Sequence, residues 1–284
     1  MSGVQIYEAW RGSTIAEAVE VENENALRVV PATSQEGDTD SQITTALLLA
    51  AGAGSRLGNG APKCLTEVSG EPILGRLVSC LVEEGFERLV VVVGYRGEEI
   101  REYLDFHADG LEIQYIECRR YATTNNIYSL WLAREHIQAP FVLIESDLVF
   151  EPKLLGLMRL SNRIAVARLL PYMNGTTVSI EDTGLVGSFS VGGLDGPRLS
   201  HKTVNIYSLS LPIWNEVVRR LDQRITAGRV HDYYETVFAE MAAEDLLSLR
   251  PVSFDDGRWI EIDTPNDLSA AHDLFNDAPL SKGA

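Results

Sequence analysis

The sequence predicts an α/β protein with a mixed, mainly parallel central sheet and a β-rich region that covers the functional site. Three observations support this fold class. A short apolar run, Ala46 to Ala50, feeds directly into a glycine-rich loop. Strand-like and helix-like segments then alternate as far as residue 145, which is typical of right-handed crossovers in a parallel sheet. Beyond Lys153 the segments become short strands separated by turn residues.

Each predicted element rests on a local pattern. Apolar residues recur at helical spacing after Pro72, and Gly85 supplies a stop. Thr123 and the asparagines after it favour a helix N-cap, and Pro212 and Pro265 suit the first turn of a helix. In chain order, the predicted strands are 46–50, 88–93, 112–116, 141–144, 164–169, 176–180, 186–191, 203–209 and 258–263, and the predicted helices are 73–82, 98–104, 123–135, 212–225, 233–241 and one that begins at 264–265.

The composition argues against several classes of function. The formal net charge of −17 disfavours a nucleic-acid partner on electrostatic grounds. The three cysteines, Cys64, Cys80 and Cys118, are odd in number and lack metal-ligand spacing, so neither a disulfide framework nor a zinc site is expected. No apolar stretch reaches the roughly 20 residues of a membrane span. No secretory leader is recognisable at the N-terminus either, so we expect a cytoplasmic protein without a membrane partner.

The domain organisation follows from a change in composition near residue 45. Residues 1–44 contain eight acidic and two basic residues, which gives 2 − 8 = −6, and their second half has the composition of a linker. We therefore predict an acidic, partly flexible extension over 1–44, one large domain over 45–276 and a flexible tail over 277–284. A docking arm for a second subunit is the alternative for the extension, and a homodimer is the assembly that it would imply.

The loop that follows the first strand is the strongest candidate for a ligand site. Four glycines between residues 52 and 60 allow the backbone to approach a ligand, and their N–H groups can form an anion-binding concavity. Arg56 and Lys63 add positive charge, which suits a polyphosphate. A P-loop is excluded because Cys64 follows Lys63 where that motif needs Ser or Thr. A dinucleotide site is disfavoured by the GxGxxxG spacing, and a plain strand-to-helix turn remains the alternative.

Four motifs, in this order, carry a resemblance to a known family. They are LAAGAGSRLG with PKCL at 49–65, TTNNIYSLWLA at 123–133, IESDLVF at 144–150 and WIEIDTPNDL at 259–268. This pattern resembles the nucleotidyltransferases that activate sugar phosphates and small phosphorylated alcohols. Within that superfamily it is most similar to the cytidylyltransferases that act on phosphocholine and on small phosphonates. The resemblance spans about 45–274 and implies a Rossmann-like nucleotidyltransferase fold.

The resemblance also implies which residues bind the nucleotide. Arg56 and Lys63 would hold the β- and γ-phosphates of CTP, and both are assigned to the catalytic group. The asparagine-rich helix start at 123–126 would lie at the nucleotide and acceptor pocket, where amides can pair with the edge of a pyrimidine. The predicted nucleotide-binding residues are Leu49, Ala51, Gly52, Ala53, Gly54, Ser55, Asn126 and Ser129.

Two aspartates are the predicted magnesium ligands. Asp147 follows the strand at 141–144, at the edge where open α/β sheets bind ligands, and Asp263 ends the last predicted strand. From the residues alone, each carboxylate is either a cap for the next turn or a ligand of Mg²⁺, which prefers oxygen and few protein ligands. The family resemblance favours the ligand role for both. Glu145 stands where the commoner motif has Asp, and a contact between Glu145 and the metal stays open.

The predicted reaction is in-line attack by an acceptor oxygen on the α-phosphorus of CTP, with release of pyrophosphate. Lys202 is assigned to the catalytic group and to substrate binding, where it would meet a small phosphonate or phosphomonoester. Tyr128, Tyr233 and Glu235 complete the predicted acceptor site. A sugar-1-phosphate nucleotidyltransferase that uses UTP or dTTP is the alternative within this enzyme class. A nucleotide-binding regulatory module without turnover is the alternative of another class.

Overall fold

A nine-stranded mixed sheet is the centre of the fold, and the computed structural model describes residues 42–58, 60–171, 173–192 and 200–276. The predicted tail and nearly all of the predicted N-terminal extension lie outside these residues. In chain order, the elements are β1 (Thr45–Ala50), β2 (Glu67–Val68), β3 (Glu71–Pro72), α1 (Ile73–Glu83), β4 (Arg88–Val93), α2 (Gly97–His107), β5 (Glu112–Glu117), α3 (Asn126–Leu132), β6 (Phe141–Glu145), β7 (Leu148–Phe150), α4 (Pro152–Gly156), β8 (Arg163–Arg168), β9 (Thr177–Ile180), β10 (Val186–Ser190), β11 (Ser200–Leu209), α5 (Leu211–Thr226), α6 (Glu235–Ala243), β12 (Arg250–Ser253), β13 (Trp259–Glu261) and α7 (Pro265–Leu274).

The parallel half of the sheet has β1 at its centre. β1 pairs in parallel with β4 on one side and with β6 on the other, and β5 extends the sheet beyond β4. All six residues of β1 are buried, and successive residues contribute to different cores: Leu48 to one face and Leu47 to the other. A strand that is covered on both faces has a continuous apolar sequence, which is why the sequence pattern predicted β1. The carboxyl ends of β1, β4 and β6 therefore meet at one edge of the sheet.

The antiparallel half is organised by the ten-residue strand β11. One edge of β11 pairs with β6 and β9, and the other edge pairs with β8. The register with β8 shifts between Thr203 and Tyr207, so that three residues of β11 face one residue of β8. Asn205 sits inside this bulge in the left-handed region (φ 58°), and its side chain accepts a hydrogen bond of 2.8 Å from the Thr203 hydroxyl. The bulge bends β11 where it passes the end of β6.

Two small ladders complete the architecture. β7 pairs antiparallel with β13, and β2 pairs antiparallel with β3. The first ladder matters for the site because it brings the segment after β6 beside the segment after β13. Among the described residues, no helix combines the length and the apolar composition that a membrane crossing requires.

The predicted fold class is confirmed, and the differences concern short elements. The predicted helix over 123–135 is divided into a 3-10 turn, the helix α3 and a second 3-10 turn. Five elements were not predicted: β2, β3, β7, α4 and β12. The first four are too short to show a period of their own. β12 contains Pro251, which cannot donate to a ladder and argued against a strand there.

Gly94 provides a test of how closely the chain after β4 must approach β1. A β-carbon built on Gly94 would lie 2.6 Å from the Ala51 carbonyl oxygen and 2.8 Å from the Tyr121 β-carbon. The Tyr95 N–H also donates to the Ala51 carbonyl at 3.1 Å, so the backbone cannot move away freely. We expect Gly94→Ala to lower the free energy of unfolding by about 1–3 kcal/mol, because neither neighbour is the end of a flexible side chain. Urea unfolding of the purified variant measures this loss.

Gly52→Ala is the matched control for this prediction. Within the part of the chain that the structure describes, no neighbouring atom lies within 4 Å of a β-carbon built on Gly52, so the added methyl group should not disturb folding. Equal unfolding midpoints for Gly94→Ala and the unsubstituted protein would contradict the close approach.

Candidate functional site

Lys63 joins three segments that are far apart in the sequence. Its Nζ atom donates to Asp147 Oδ2 at 2.8 Å and to Asp263 Oδ1 at 2.5 Å. Asp147 lies in the turn between β6 and β7, and Asp263 follows β13. The β7–β13 ladder and a hydrogen bond of 2.9 Å from the Ile262 N–H to the Asp147 carbonyl hold these two turns side by side. The structure thus brings together three of the predicted site residues, and we call this arrangement the Lys63 bridge.

The glycine loop positions Lys63 through a close backbone approach. Gly54 adopts a left-handed conformation (φ 56°), and a β-carbon built on it would lie 2.9 Å from the Lys63 β-carbon. Two 3-10 turns, at Ser55–Leu57 and Lys63–Leu65, flank the rest of the loop. Leu57 and Cys64 are buried and anchor these turns. Glycine is therefore required at position 54, because any side chain there would push Lys63 away from the aspartates.

The remaining predicted nucleotide-binding residues in the loop form an open surface beside the bridge. The side chains of Leu49 and Ala51 are buried, so their backbone groups are what a ligand could contact. Gly52 and Ala53 are exposed, and no other described residue has an atom within 4 Å of a β-carbon built on Gly52. Arg56 donates from Nη2 to Asp263 Oδ1 at 2.9 Å, yet 68% of its side chain remains exposed. Such a solvated pair is weak, so Arg56 is able to exchange its partner for a bound anion.

The electrostatics of the bridge keep Lys63 charged. Burial alone would lower the pKa of Lys63, but the charges of Asp147 and Asp263 and the hydrogen bonds to them raise it above its usual value. Asp147 Oδ1 is buried and has no hydrogen-bond partner among the described residues. The bridge is thus a cation between two carboxylates, with one buried carboxylate oxygen left unsatisfied.

A helix-cap role for Asp263 is excluded by the structure. Thr264 and Asp267 form the capping box of α7: the Thr264 hydroxyl oxygen accepts from the Asp267 N–H, and Asp267 Oδ2 accepts from the Thr264 N–H. Asp267 Oδ2 also accepts from the Asp263 N–H at 3.1 Å, which fixes the backbone of Asp263. The Asp263 side chain is left to face Lys63 and Arg56.

The aspartate pair has the donor set of a magnesium site. Within the described ranges, no group of three or more His, Cys, Asp or Glu side chains is arranged to ligate a metal. Mg²⁺ does not need such a group, because it takes one or two carboxylates and completes its shell with water and substrate phosphates. Asp147 and Asp263 are the residues that could hold it.

A second group of acidic side chains adjoins the Lys63 bridge. It consists of Glu145, Glu235 and Glu261, which we call the glutamate cluster. Glu145 precedes Asp147 by two residues, and Glu261 precedes Asp263 by two. Burial raises the pKa of all three carboxyl groups, and for Glu235 it does so to about 7. The neighbouring charge of Asp147 adds to the rise at Glu145 and Glu261.

Two predicted site residues hold the glutamate cluster together. Asn126 donates from Nδ2 to Glu145 Oε1 at 3.1 Å and accepts at Oδ1 from the Tyr234 N–H at 3.1 Å, so it ties β6 to the start of α6. Lys202 is buried (3% exposed), with Nζ 3.2 Å from Glu261 Oε2 and 2.8 Å from the Thr203 carbonyl oxygen, to which it donates. These two contacts use two of the three N–H donors of the Lys202 ammonium group.

The structure does not bring every predicted residue to this place. The Ser129 hydroxyl is buried and donates to Cys118 Sγ at 3.9 Å, a packing contact between α3 and the end of β5. The Tyr128 ring lies 5.3 Å from the Trp131 ring, beneath the guanidinium of Arg120. Tyr233 is half exposed, whereas the next residue along the chain is fully buried. Helical spacing predicted the helices correctly but did not show which of their faces points to the site.

Several residues of the site were missed or left open by the sequence analysis. Glu145 and Glu261 were noticed only as companions of the aspartates. Tyr95 donates through its hydroxyl to the Gly60 carbonyl at 3.0 Å, and Arg96 donates to the same oxygen. These two residues follow β4 and hold the glycine loop in place through hydrogen bonds. No local sequence pattern predicts such a long-range contact.

The comparisons with known proteins agree with this geometry. Residues 46–167 match the family model of the MobA-like NTP transferase domain. The chain is 32% identical over 252 residues to the CMP-5'-(3-aminopropyl)phosphonate synthase of Streptomyces rubellomurinus, which covers 84% of this chain but only 40% of that longer protein. It is 27% identical over 238 residues to the 2-aminoethylphosphonate cytidylyltransferase of Lancefieldella rimae, covering 82% of this chain and 93% of the relative.

A solved structure gives the same picture of the fold. The CTP:phosphocholine cytidylyltransferase of Streptococcus pneumoniae superposes with a TM-score of 0.68 at 20% identity, over 82% of this chain and 99% of that one. At this identity the likeness supports the architecture alone. The α/β fold with a mixed, mostly parallel sheet is thus shared with known nucleotidyltransferases.

The buried carboxyl group of Glu235 predicts a pH dependence of stability. Burial raises its pKa from 4.5 to about 7, so between these two values the folded protein binds more protons than the unfolded chain. The free energy of unfolding therefore falls as the pH rises through this window. Glu235→Gln removes the contribution. We expect the melting temperature of the variant minus that of the unsubstituted protein to increase from pH 5 to pH 8. The increase should correspond to a gain of up to about 3 kcal/mol in the relative free energy of unfolding.

An exposed glutamate provides the control for this measurement. Glu102 lies on the exposed face of α2, and Glu102→Gln should show no comparable gain over the same pH range. If the melting temperatures of Glu235→Gln and the unsubstituted protein differ by the same amount at pH 5 and at pH 8, the buried, proton-binding state of Glu235 is contradicted.

Proposed function

Because this chain belongs to the nucleotidyltransferase superfamily, we propose that it transfers the CMP group of CTP to a small phosphonate or phosphomonoester and releases pyrophosphate. The observation that carries the proposal is the Lys63 bridge, in which a cationic glycine loop meets two carboxylates at the carboxyl edge of the sheet. The names of both relatives mention an aminoalkylphosphonate together with CMP or a cytidylyl group. They support the choice of CTP as the nucleotide and of a phosphonate as the acceptor.

The triphosphate would bind over the glycine loop. Gly52 and Ala53 expose their backbone, and the open space above Gly52 allows a phosphate to approach the N–H groups of the loop. Arg56 would turn from Asp263 to the β- and γ-phosphates, because its exposed pair with Asp263 is weak. Lys63 would then shift its hydrogen bonds in part from the aspartates to the phosphates, since all of these partners lie around one ammonium group.

Asp147 and Asp263 would hold Mg²⁺. Their fit is supported by the buried, unpartnered Oδ1 of Asp147 and by the position of Lys63, whose ammonium stands as a monovalent cation between the two carboxylates. When bound, Mg²⁺ would neutralise charge on the triphosphate and at the reacting phosphorus. The protein contributes two carboxylates that are already fixed in place, Asp147 by the turn after β6 and Asp263 by the backbone hydrogen bond to Asp267.

The reaction requires no covalent nucleophile from the protein. An oxygen of the acceptor forms a bond to the α-phosphorus, and the bond from that phosphorus to the oxygen bridging it to the β-phosphorus breaks, so that pyrophosphate leaves with the electron pair. The attacking oxygen is already ionised in a phosphonate, and no general base is needed. The role of the chain is to align the two reactants and to stabilise the charge, which is what Lys63, Arg56 and the loop are placed to do.

A screen of nucleotides and acceptors tests the proposed function. Each of CTP, UTP, dTTP and ATP is combined with 2-aminoethylphosphonate, phosphocholine and glucose-1-phosphate in the presence of Mg²⁺, and pyrophosphate release is measured. We expect turnover with CTP and a small phosphonate or phosphomonoester. Turnover confined to glucose-1-phosphate with UTP or dTTP would replace the proposal with the sugar alternative. Nucleotide binding without any turnover would favour a regulatory module.

The aspartates give the sharpest prediction for variants. Asp147→Asn and Asp263→Asn should each lower kcat by a hundredfold or more, because a neutral amide is a poor Mg²⁺ ligand and the lost charge stabilisation is worth several kcal/mol. Far-UV circular dichroism should show that both variants stay folded. The control is Asp109→Asn, in the exposed turn before β5, which should retain full activity. Activity near the unsubstituted level in either site variant, at saturating Mg²⁺, would remove that aspartate from the site.

A further inference from the structure

A third hydrophobic core is distinct from the two cores that cover the faces of the nine-stranded sheet. We call it the loop core. Its members come from the glycine loop, β2, α1, β7, the residue after β13 and the last helix with its end. The seven buried members, all outside the nine-stranded sheet, are Leu57, Val68, Ile73, Val149, Ile262, Ala271 and Phe275. The packing of the loop core therefore fixes these segments relative to one another.

The loop core reaches each of the three segments that carry the charged groups of the site. Leu57 directly follows Arg56 in the glycine loop, and Ile262 directly precedes Asp263. Val149 lies two residues after the other aspartate. Adjacent Cα atoms are about 3.8 Å apart and are joined by a planar peptide unit. A shift of Leu57 or Ile262 would therefore carry the neighbouring charged residue with it.

A second set of contacts between the loop and the aspartates is ionic, and the proposed reaction would exchange these contacts. Lys63 and Arg56 both donate to the aspartates in this structure. In the proposed function both cations turn at least in part to the phosphates of the nucleotide, so their contacts with the aspartates weaken when the substrate binds. The apolar contacts of the loop core are not exchanged. They remain to hold the loop and the aspartates in place while the nucleotide is bound.

Phe275 is the largest side chain of the loop core and lies at the end of α7, with 7% of its surface exposed. The guanidinium carbons of Arg76 and Arg258 lie 5.8 and 5.4 Å from the centroid of its ring. Arg76 also donates from Nη2 to the Val68 carbonyl at 2.7 Å, which ties the ring to β2. At its other end, α7 begins with the capping box that fixes the backbone of Asp263. The helix therefore joins an aspartate of the site to the loop core.

We propose that Phe275 and Leu57 are positioning residues for nucleotide binding and CMP transfer, which act through the loop core on Arg56 and Asp263 without touching the substrate. This inference rests on the proposed function, because it concerns the triphosphate half of the same site. The predicted acceptor residues on β11 and α6 are held differently, since no described residue of these two elements belongs to the loop core. The loop core should thus control the affinity for the nucleotide and not the affinity for the acceptor.

Phe86 provides a matched control for Phe275. It is 3% exposed, and its ring lies 5.6 Å from the guanidinium carbon of Arg159, so its environment resembles that of Phe275. It belongs, however, to a core that covers one face of the sheet. Phe275→Ala and Phe86→Ala should both lower the melting temperature, because each substitution leaves a cavity.

The two variants should differ in nucleotide binding. At a temperature where circular dichroism shows every variant to be folded, calorimetry measures the Kd of CTP with Mg²⁺, and steady-state kinetics gives kcat and the KM of each substrate. We expect Phe275→Ala to raise the Kd of CTP and to lower kcat/KM for CTP by about tenfold or more, because a small misplacement of binding groups has effects of this size. The acceptor KM should stay unchanged. Phe86→Ala should change none of these quantities.

Two further variants keep the test decisive if Phe275→Ala folds poorly. Phe275→Leu keeps most of the apolar volume and should raise the Kd of CTP by a smaller factor. Leu57→Ala removes the contact at the loop end of the same core and should also raise the Kd of CTP. The double variant should bind CTP less weakly than the product of the two single effects predicts, because residues of one packed core are not independent.

The outcomes separate this inference from the proposed function. If the substitutions at Phe275 and Leu57 lower the melting temperature but affect the Kd of CTP no more than Phe86→Ala does, the inference is overturned. An increase in the acceptor KM as large as that in the KM of CTP overturns it as well. If the unsubstituted protein binds CTP but transfers CMP to no acceptor, the proposed function fails and the Kd of CTP still decides the positioning role. If it does not bind CTP, both fail.

Discussion

One ammonium group between two carboxylates is the interaction on which the site depends. Lys63, Asp147 and Asp263 keep 13%, 14% and 18% of their side chains exposed, so each charge is largely removed from water. Such charges are tolerated only when they are paired. The close contact between Gly54 and Lys63, the β7–β13 ladder and the capping box of α7 all serve to hold this pairing. Because Lys63 belongs to the loop and the aspartates to the strand ends, the bridge also fixes the loop over the sheet.

The bridge divides the proposed site into two halves with different chemistry. The loop side contains Arg56 and the exposed backbone of residues 52–53, which suit anionic phosphates. The other side contains the glutamate cluster, whose carboxyl groups are buried or half-buried. β11 contributes Lys202 to this second half, through the contact of Lys202 with Glu261.

The sequence predicted the parallel half of the fold well because β1, β4 and β6 are continuous apolar runs and α1 has a clear helical period. It also placed Asp147 correctly at the carboxyl end of β6, where the parallel strands of the sheet end, and Asp263 at the end of the last strand. It could not predict what Lys202 contacts. A lysine that begins a strand looks solvated, and only the long-range arrival of Glu261 explains its burial. The contact of Ser129 with Cys118 was not predictable either, because helical spacing does not tell a packing face from a site face.

The central claim is that an acceptor oxygen, rather than a protein side chain, attacks the α-phosphorus of CTP. Its most direct test uses a single diastereomer of CTP that carries sulfur on the α-phosphorus, incubated with 2-aminoethylphosphonate, Mg²⁺ and the protein. ³¹P NMR then determines the configuration at the α-phosphorus of the product. The account predicts inversion, because a single in-line displacement inverts the phosphorus once. Retention, which requires two successive displacements with a protein side chain as the first nucleophile, would contradict it.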